Sequence, residues 1–184
     1  MKFPRYIALI FININVAPFG ATLNADAATT FQAELDRKLP GIIAEAKSLA
    51  ANPTIVGAVR DHNQHPPKLM SPEEWRKLSV RDPIVASLRT NAAAELIKAQ
   101  IQPYISEAFL SGNDGTKVAF LNKTTNWSHS GKPKHDEPMA GRDWQGKLEL
   151  DESSGVQQIQ ISVPVWDGKA AIGSLVFGIA AAKL

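Results

Sequence analysis

The 184-residue chain contains no cysteine. That absence removes disulfides, CxxC redox chemistry, cysteine-ligated zinc and CxxCH haem attachment, and leaves no thiol for lipoprotein acylation. An excess of either charge is missing too. Twenty Lys and Arg stand against 18 Asp and Glu, a net charge of +2, so there is no concentrated basic footprint of the kind nucleic acid calls for. A bilayer span needs about 20 mostly apolar residues. The most apolar stretch, Ile7 to Val16, is cut short by Pro18, Gly20, Thr22 and Asn24. GxSxG, HExxH, P-loop and dinucleotide fingerprints are all lacking, and no repeat or low-complexity tract divides the chain.

The N-terminus has the parts of an export signal. Lys2 and Arg5 give a positive start, Ile7 to Val16 an apolar core, and Ala25-Asp26-Ala27 a small-x-small cleavage site. Residues 1–27 therefore read as a signal peptide and 28–184 as one domain, periplasmic or secreted, with no membrane insertion of the mature chain. An uncleaved anchor is the competing reading. A domain of this size buries enough core to stand without staples.

Helical patterning fills the first half. Apolar residues at 31, 35, 39, 42, 43, 46 and 49 form an amphipathic stripe, interrupted by Pro40-Gly41, where the helix either kinks or begins. Asn52-Pro53 marks a break, after which Thr54 to Asp61 reads as a short helix with Pro53 near its first position. Ser71-Pro72-Glu73-Glu74 opens a helix with Ser as N-cap and Pro at the first position, and Asp82-Pro83 starts another helical turn. A further helix over Asn91 to Ile101 is stopped by Pro103. From Tyr104 the period becomes two, giving expected strands at 105–110, 117–121, 147–150, 156–165 and 171–180. The turn signals Asn113-Asp114-Gly115, Asp151 to Gly155 and Asp167-Gly168-Lys169 fall between the first and second, third and fourth, and fourth and fifth of them. Ile159, Ile161, Val163 and Val165 share one face of the fourth strand; Gln158, Gln160, Ser162 and Pro164 share the other. Pro164 predicts a bulge or a strand end. Helices followed by an antiparallel meander make an α+β domain.

The segments Val163-Pro164-Val165-Trp166-Asp167-Gly168-Lys169 and Ile172-Gly173-Ser174-Leu175-Val176-Phe177-Gly178-Ile179 resemble the closing hairpin of Cache domains, extracytoplasmic relatives of PAS domains. Ile105 to Leu110 through Asn113-Asp114-Gly115, and Glu45 to Pro53, are similar to the first hairpin and opening helix of the same family. The resemblance implies a PAS-like five-stranded antiparallel sheet, its last strand central beside the first. A long N-terminal helix and additional helices precede the sheet, and small ligands bind its far face under the segment joining strands two and three. It also implies a sensor role in signal transduction. The arginine–tryptophan–tyrosine motif of amino-acid-binding double-Cache receptors is not matched, so no amino-acid specificity is implied.

Residues 123–145 read as a long polar connection, the kind of segment that often binds. It contains Trp127, His129, Lys134, His135 and Trp144, the candidate ligand-binding residues: tryptophans for apolar walls, Lys and His for an anion. The plain alternative is a solvated loop whose tryptophans cover the sheet edge. His129 and His135 offer imidazoles to a metal, but Lys132 and Lys134 would repel one and the spacing fits no zinc pattern; no metal or cofactor is expected. Ser128-His129 and His135-Asp136 have residue types of a hydrolase, yet adjacency in sequence is not triad geometry, and no enzyme is expected. The sequence thus predicts a small-molecule-binding sensor domain without its own output module, for a small organic anion or amino-acid-like metabolite. A ligand-free module docking to a separate membrane-bound sensor is the alternative.

Overall fold

A computed structural model describes residues 25–150 and 155–184. Most of the expected signal peptide and most of the turn at 151–155 lie outside the described residues; Ala25-Asp26-Ala27 opens the first helix.

That helix, α1 (Ala25–Ala50), runs unbroken through Pro40. Proline gives up one backbone hydrogen bond there, but Phe31, Leu35, Ile42, Ala46 and Leu49 stay buried on both sides of it. Burial of one stripe outweighs one lost bond. Next come α2 (Pro53–Gln64), α3 (Pro72–Lys77), α4 (Pro83–Thr90) and α5 (Ala92–Gln100). Each is capped by the side chain the sequence offers: Asn52, Ser71, Asp82 and Asn91 accept from Thr54, Glu74, Ile84 and Ala94 backbone N–H groups. Ser71 and Glu74 form a reciprocal capping box. Helix α2 runs one turn beyond the expected end and takes in His62.

Five strands follow, β1 (Ile105–Ser111), β2 (Lys117–Phe120), β3 (Trp144–Leu150), β4 (Gln157–Asp167) and β5 (Ala170–Ala180). They form one antiparallel sheet in the order β2-β1-β5-β4-β3, with the last strand central beside the first, as the PAS-like reading requires. Pro164 pairs with Ser174 of β5 but lies past Ser162, the last β4 residue facing β3. Proline therefore sits where β4 has become an edge, next to a register shift at Val165/Trp166.

Alternation divides the sheet into two faces. Ala108, Leu110, Ile159, Ile161, Val163, Val165, Leu175, Phe177 and Ile179 point to α1, α2 and α5 and form the main core with them. On the opposite face Phe109, Phe120 and Val176 meet Trp75, Val85 and Trp127 in a smaller core beneath α3 and α4.

Residues 123–145 are more ordered than a polar connection would be. Ser128 bridges to Thr116, a helix α6 (Pro133–Met139) follows, and β3 already begins at Trp144. Helix α6 is short and has a proline inside, so it leaves no periodic stripe to read. Tertiary bonds hold it instead: Ser162 Oγ donates to the Lys134 carbonyl at 2.6 Å, and the His135 ring bonds Ser174 Oγ at 2.9 Å.

Candidate functional site

Between the 124–129 segment, α6 and the far face of β3 and β4 lies a cavity of about 240 Å³. Its floor is the polar side of β4, Gln158 and Gln160, with Glu107 of β1 beside them. These groups are bonded in a row: Lys134 Nζ donates to Gln160 Oε1 (2.5 Å), Gln160 Nε2 to Glu107 Oε2 (2.7 Å), and Gln158 Nε2 to the same Glu107 oxygen (3.2 Å). Ser106 Oγ closes the row by donating to Gln158 Oε1 (2.6 Å). Thr124, Thr125, Asn126 and His129 form one wall, and Trp144, Gly146, Lys147 and Glu149 of β3 the other. Gly146 makes room for the Trp144 indole, since a Cβ at 146 would fall 2.8 Å from its ring.

Of the five residues expected from the sequence, His129, Lys134 and Trp144 line this cavity. Trp127 is placed elsewhere: its ring lies 5.0 Å from that of Trp75, 97 % buried by its 3 % exposure, in the smaller core. Its Nε1 has no hydrogen-bond partner. Trp75, in contrast, donates its Nε1–H to the Thr124 carbonyl (2.7 Å). His135 is also outside the lining. Its Nδ1 faces Ser174 Oγ, and its Nε2 faces the Asn113 carbonyl at 3.3 Å. A carbonyl can only accept, so Nε2 holds the proton and Nδ1 accepts from the serine. Burial lowers the pKa of this imidazole, which is a neutral clamp between α6, β5 and the β1–β2 turn.

Behind His129 stands Lys117, fully buried. Its Nζ is 2.6 Å from His129 Nδ1, 3.3 Å from Ser111 Oγ and 3.4 Å from the Gly115 carbonyl, and lies 4.7 Å from the centre of the Phe109 ring. The His129 ring stacks on the same phenyl group at 4.8 Å. Burial first, and Lys134 second, push the Lys117 amine down to about 7. Burial and then Lys117 push His129 down to about 2, so its ring is neutral. Gly115 lets the turn close here: its φ is +78°, and a Cβ would stand 2.4 Å from the Ser130 nitrogen.

Sequence reasoning passed over Lys117 because alternation puts it on the same face as Ala119. A register shift between Leu110 and Ser111 breaks that alternation: Ala119 faces Leu110, but Lys117 faces Ser111. The bulge turns the lysine to the far face. Gln158 and Gln160, conversely, were visible as the polar side of β4. Among the described residues no group of three or more His, Asp or Glu could hold a metal ion, and no helix is long and apolar enough to cross a membrane.

No protein-family model matches the chain, and no curated protein is similar to it. Among solved structures it is similar to the sensor domain of the V. cholerae histidine kinase DctB, with a TM-score of 0.48 and 15% identity over 83% of this chain and 55% of that one. It is similar also to the E. coli DcuS sensor domain (0.47, 12%, covering 84% and 94%). A third is the ligand-binding domain of the Pseudomonas aeruginosa amino acid chemoreceptor PctC in complex with GABA (0.46, 14%, covering 84% and 58%). The chain thus spans less than two thirds of the first and third of these.

Proposed function

We propose that this chain is an extracytoplasmic sensor-type domain of the Cache kind that binds a small organic anion or amino-acid-like metabolite in the cavity between α6, β3 and β4. The observation that carries the reading is the cavity wall itself. It is built from hydrogen-bonding groups of the sheet face, with His129, Lys134 and Lys147 able to meet a carboxylate and Glu107 and Glu149 able to meet an ammonium. Its volume lies just below the usual range for ligand cavities, roughly 300–1,000 Å³. A metabolite with few heavy atoms fits it. Trp144 supplies the apolar side wall. The role includes export, with cleavage after Ala27, and signalling through a separate membrane-bound sensor protein.

A thermal-shift screen of organic and amino acids tests the claim, because a ligand that binds only the native state raises the melting temperature. Lys134→Ala and Trp144→Ala should each remove the shift while the unliganded fold survives. Losing a charge-assisted bond at Lys134 corresponds to roughly 1.5–3 kcal/mol, or about one to two decades in affinity. N-terminal sequencing of the exported protein should begin at Ala28; full-length protein in the inner membrane would contradict the export reading.

The second reading, a ligand-free docking module, draws on Leu69, Val80 and Ile84, which lie exposed before and along α3 and α4. A screen without any hit would put it ahead.

A further inference from the structure

We propose that Lys117 is the concealed cation of this site: it meets the ligand's anionic group through the His129 ring and takes up a proton when that anion binds. The inference rests on the ligand-binding role proposed above and names a residue and a coupling for it.

A fully buried amine is costly unless it is paired. Among the described residues no carboxylate lies within 4.0 Å of Lys117 Nζ. Its contacts to Ser111 Oγ and the Gly115 carbonyl are long, at 3.3 and 3.4 Å. The one short contact is His129 Nδ1 at 2.6 Å. That bond sets which way the imidazole faces the cavity. An ammonium has donors only, so with Lys117 charged Nδ1 must accept, the ring proton sits on Nε2, and an N–H points away from the lysine. His129 lines the cavity, and its Nε2 makes no hydrogen bond among the described residues. With Lys117 neutral, the amine can either donate to Nδ1 or accept from Nδ1–H, and in the second case Nε2 offers a lone pair. The proton on Lys117 therefore locks the wall as a donor, where the neutral amine leaves both forms open.

The surroundings hold the two forms close in energy. Glu107 of β1 and Asp114 of the β1–β2 turn favour the ammonium; burial and Lys134 of α6 oppose it. Lys132 adds to the positive field around His129, as His135 does only when protonated, and His62 of α2 faces the same turn through Thr116 and Asp114. An anion placed between His129 Nε2 and Lys134 Nζ adds the missing negative charge. It selects the donor form of the ring, and the Lys117 amine takes a proton from solvent: amine, proton and free carboxylate become ammonium, oriented imidazole and bound carboxylate.

Acetate, the simplest carboxylate, is the probe. Its affinity for the full protein should be nearly constant from pH 6 to about 7 and then fall by about tenfold per pH unit over the next unit or more. In NMR of the wild type, the Lys117 side-chain titration should move up by at least about one unit at saturating acetate, the same coupling seen from the lysine. Lys117→Met should lower acetate affinity at pH 7 by about tenfold or more and remove the pH slope. If acetate binds but its affinity is flat from pH 6 to 9 and the Lys117 titration stays put, the inference is overturned while the binding role stands. Lys117→Met binding as tightly as wild type with the slope intact would overturn it equally. Failure of acetate to bind at any pH up to 100 mM overturns both the inference and the anion-binding reading. The NMR titration needs no variant, so a misfolded Lys117→Met leaves the test intact.

Discussion

The two faces of the sheet are built by opposite rules. On the face covered by α1, α2 and α5 the buried cluster is apolar throughout, from Leu35 and Ile55 on the helices to Ile161, Leu175 and Ile179 on the strands. On the far face an aromatic cluster around Trp75 and Trp127 adjoins buried Lys117, His129, His135, Ser162 and Ser174. One face is selected for packing. The other holds groups that folding alone disfavours, since each must be desolvated and then satisfied. Shape-filling on one side therefore supports polar groups held in place on the other.

Breaking the packing should give the largest effects. Trp127→Ala is expected to cost about 3–5 kcal/mol and Ile179→Ala about 2–5 kcal/mol in urea unfolding. A Trp127 loss near zero would mean that the far face carries little of the fold's stability. Next is a change of opposite sign. Lys117→Met replaces a buried, carboxylate-free amine with an apolar side chain of similar length, and should stabilise the unliganded protein by about 1–4 kcal/mol, by analogy with buried ion-pair replacements. Destabilisation would show that the Lys117 bonds to Ser111, Gly115 and His129 outweigh the desolvation.

The pH dependence of stability sharpens the same contrast. Lys117 is held down to about 7 in the folded protein against 10.5 unfolded. Between those values the unfolded chain binds more protons, so stability rises with pH. The contribution is complete above the unfolded value and is lost as pH falls toward 7. His129 and His135 are also depressed when folded, so their contribution is present above about 6.5 and declines below it. Unfolding midpoints should therefore climb from pH 7 to 10 in wild type, and the difference from Lys117→Met should shrink over that range. The smallest effect belongs to the surface pair in which Arg60 holds Asp167 by two 2.8 Å bonds. Both side chains are exposed, and Asp167→Asn should leave the midpoint within experimental scatter.

Much of the fold was legible in the sequence because its signals are local. Ser71 announces its helix by capping, Pro53 and Pro83 mark where two others start, and Ile159, Ile161, Val163 and Val165 announce a two-faced strand. Gln158 and Gln160 likewise mark the cavity floor. Helix α6 was illegible because bonds to Ser162 and Ser174 hold it, residues more than twenty positions away in the chain. Trp127 was placed beside a ligand in the sequence reading for lack of sight of Trp75, its packing partner from a helix some fifty residues earlier. Lys117 required knowledge of a bulge, which is a property of two paired strands and not of either alone.

The four tryptophans divide the same way, and so furnish separate optical channels. Trp75 and Trp127, with ring centres 5.0 Å apart and tilted by 38°, are close enough for their electronic transitions to couple. Such a pair gives a circular-dichroism couplet that persists only while their packing does. Trp144 stands half-buried at the cavity wall and Trp166 is exposed at the β4–β5 hairpin. If the cavity takes the proposed ligand, light emitted by Trp144 is the component expected to change, against a steady background from Trp166, so the unlabelled protein would report folding and occupancy in separate spectra.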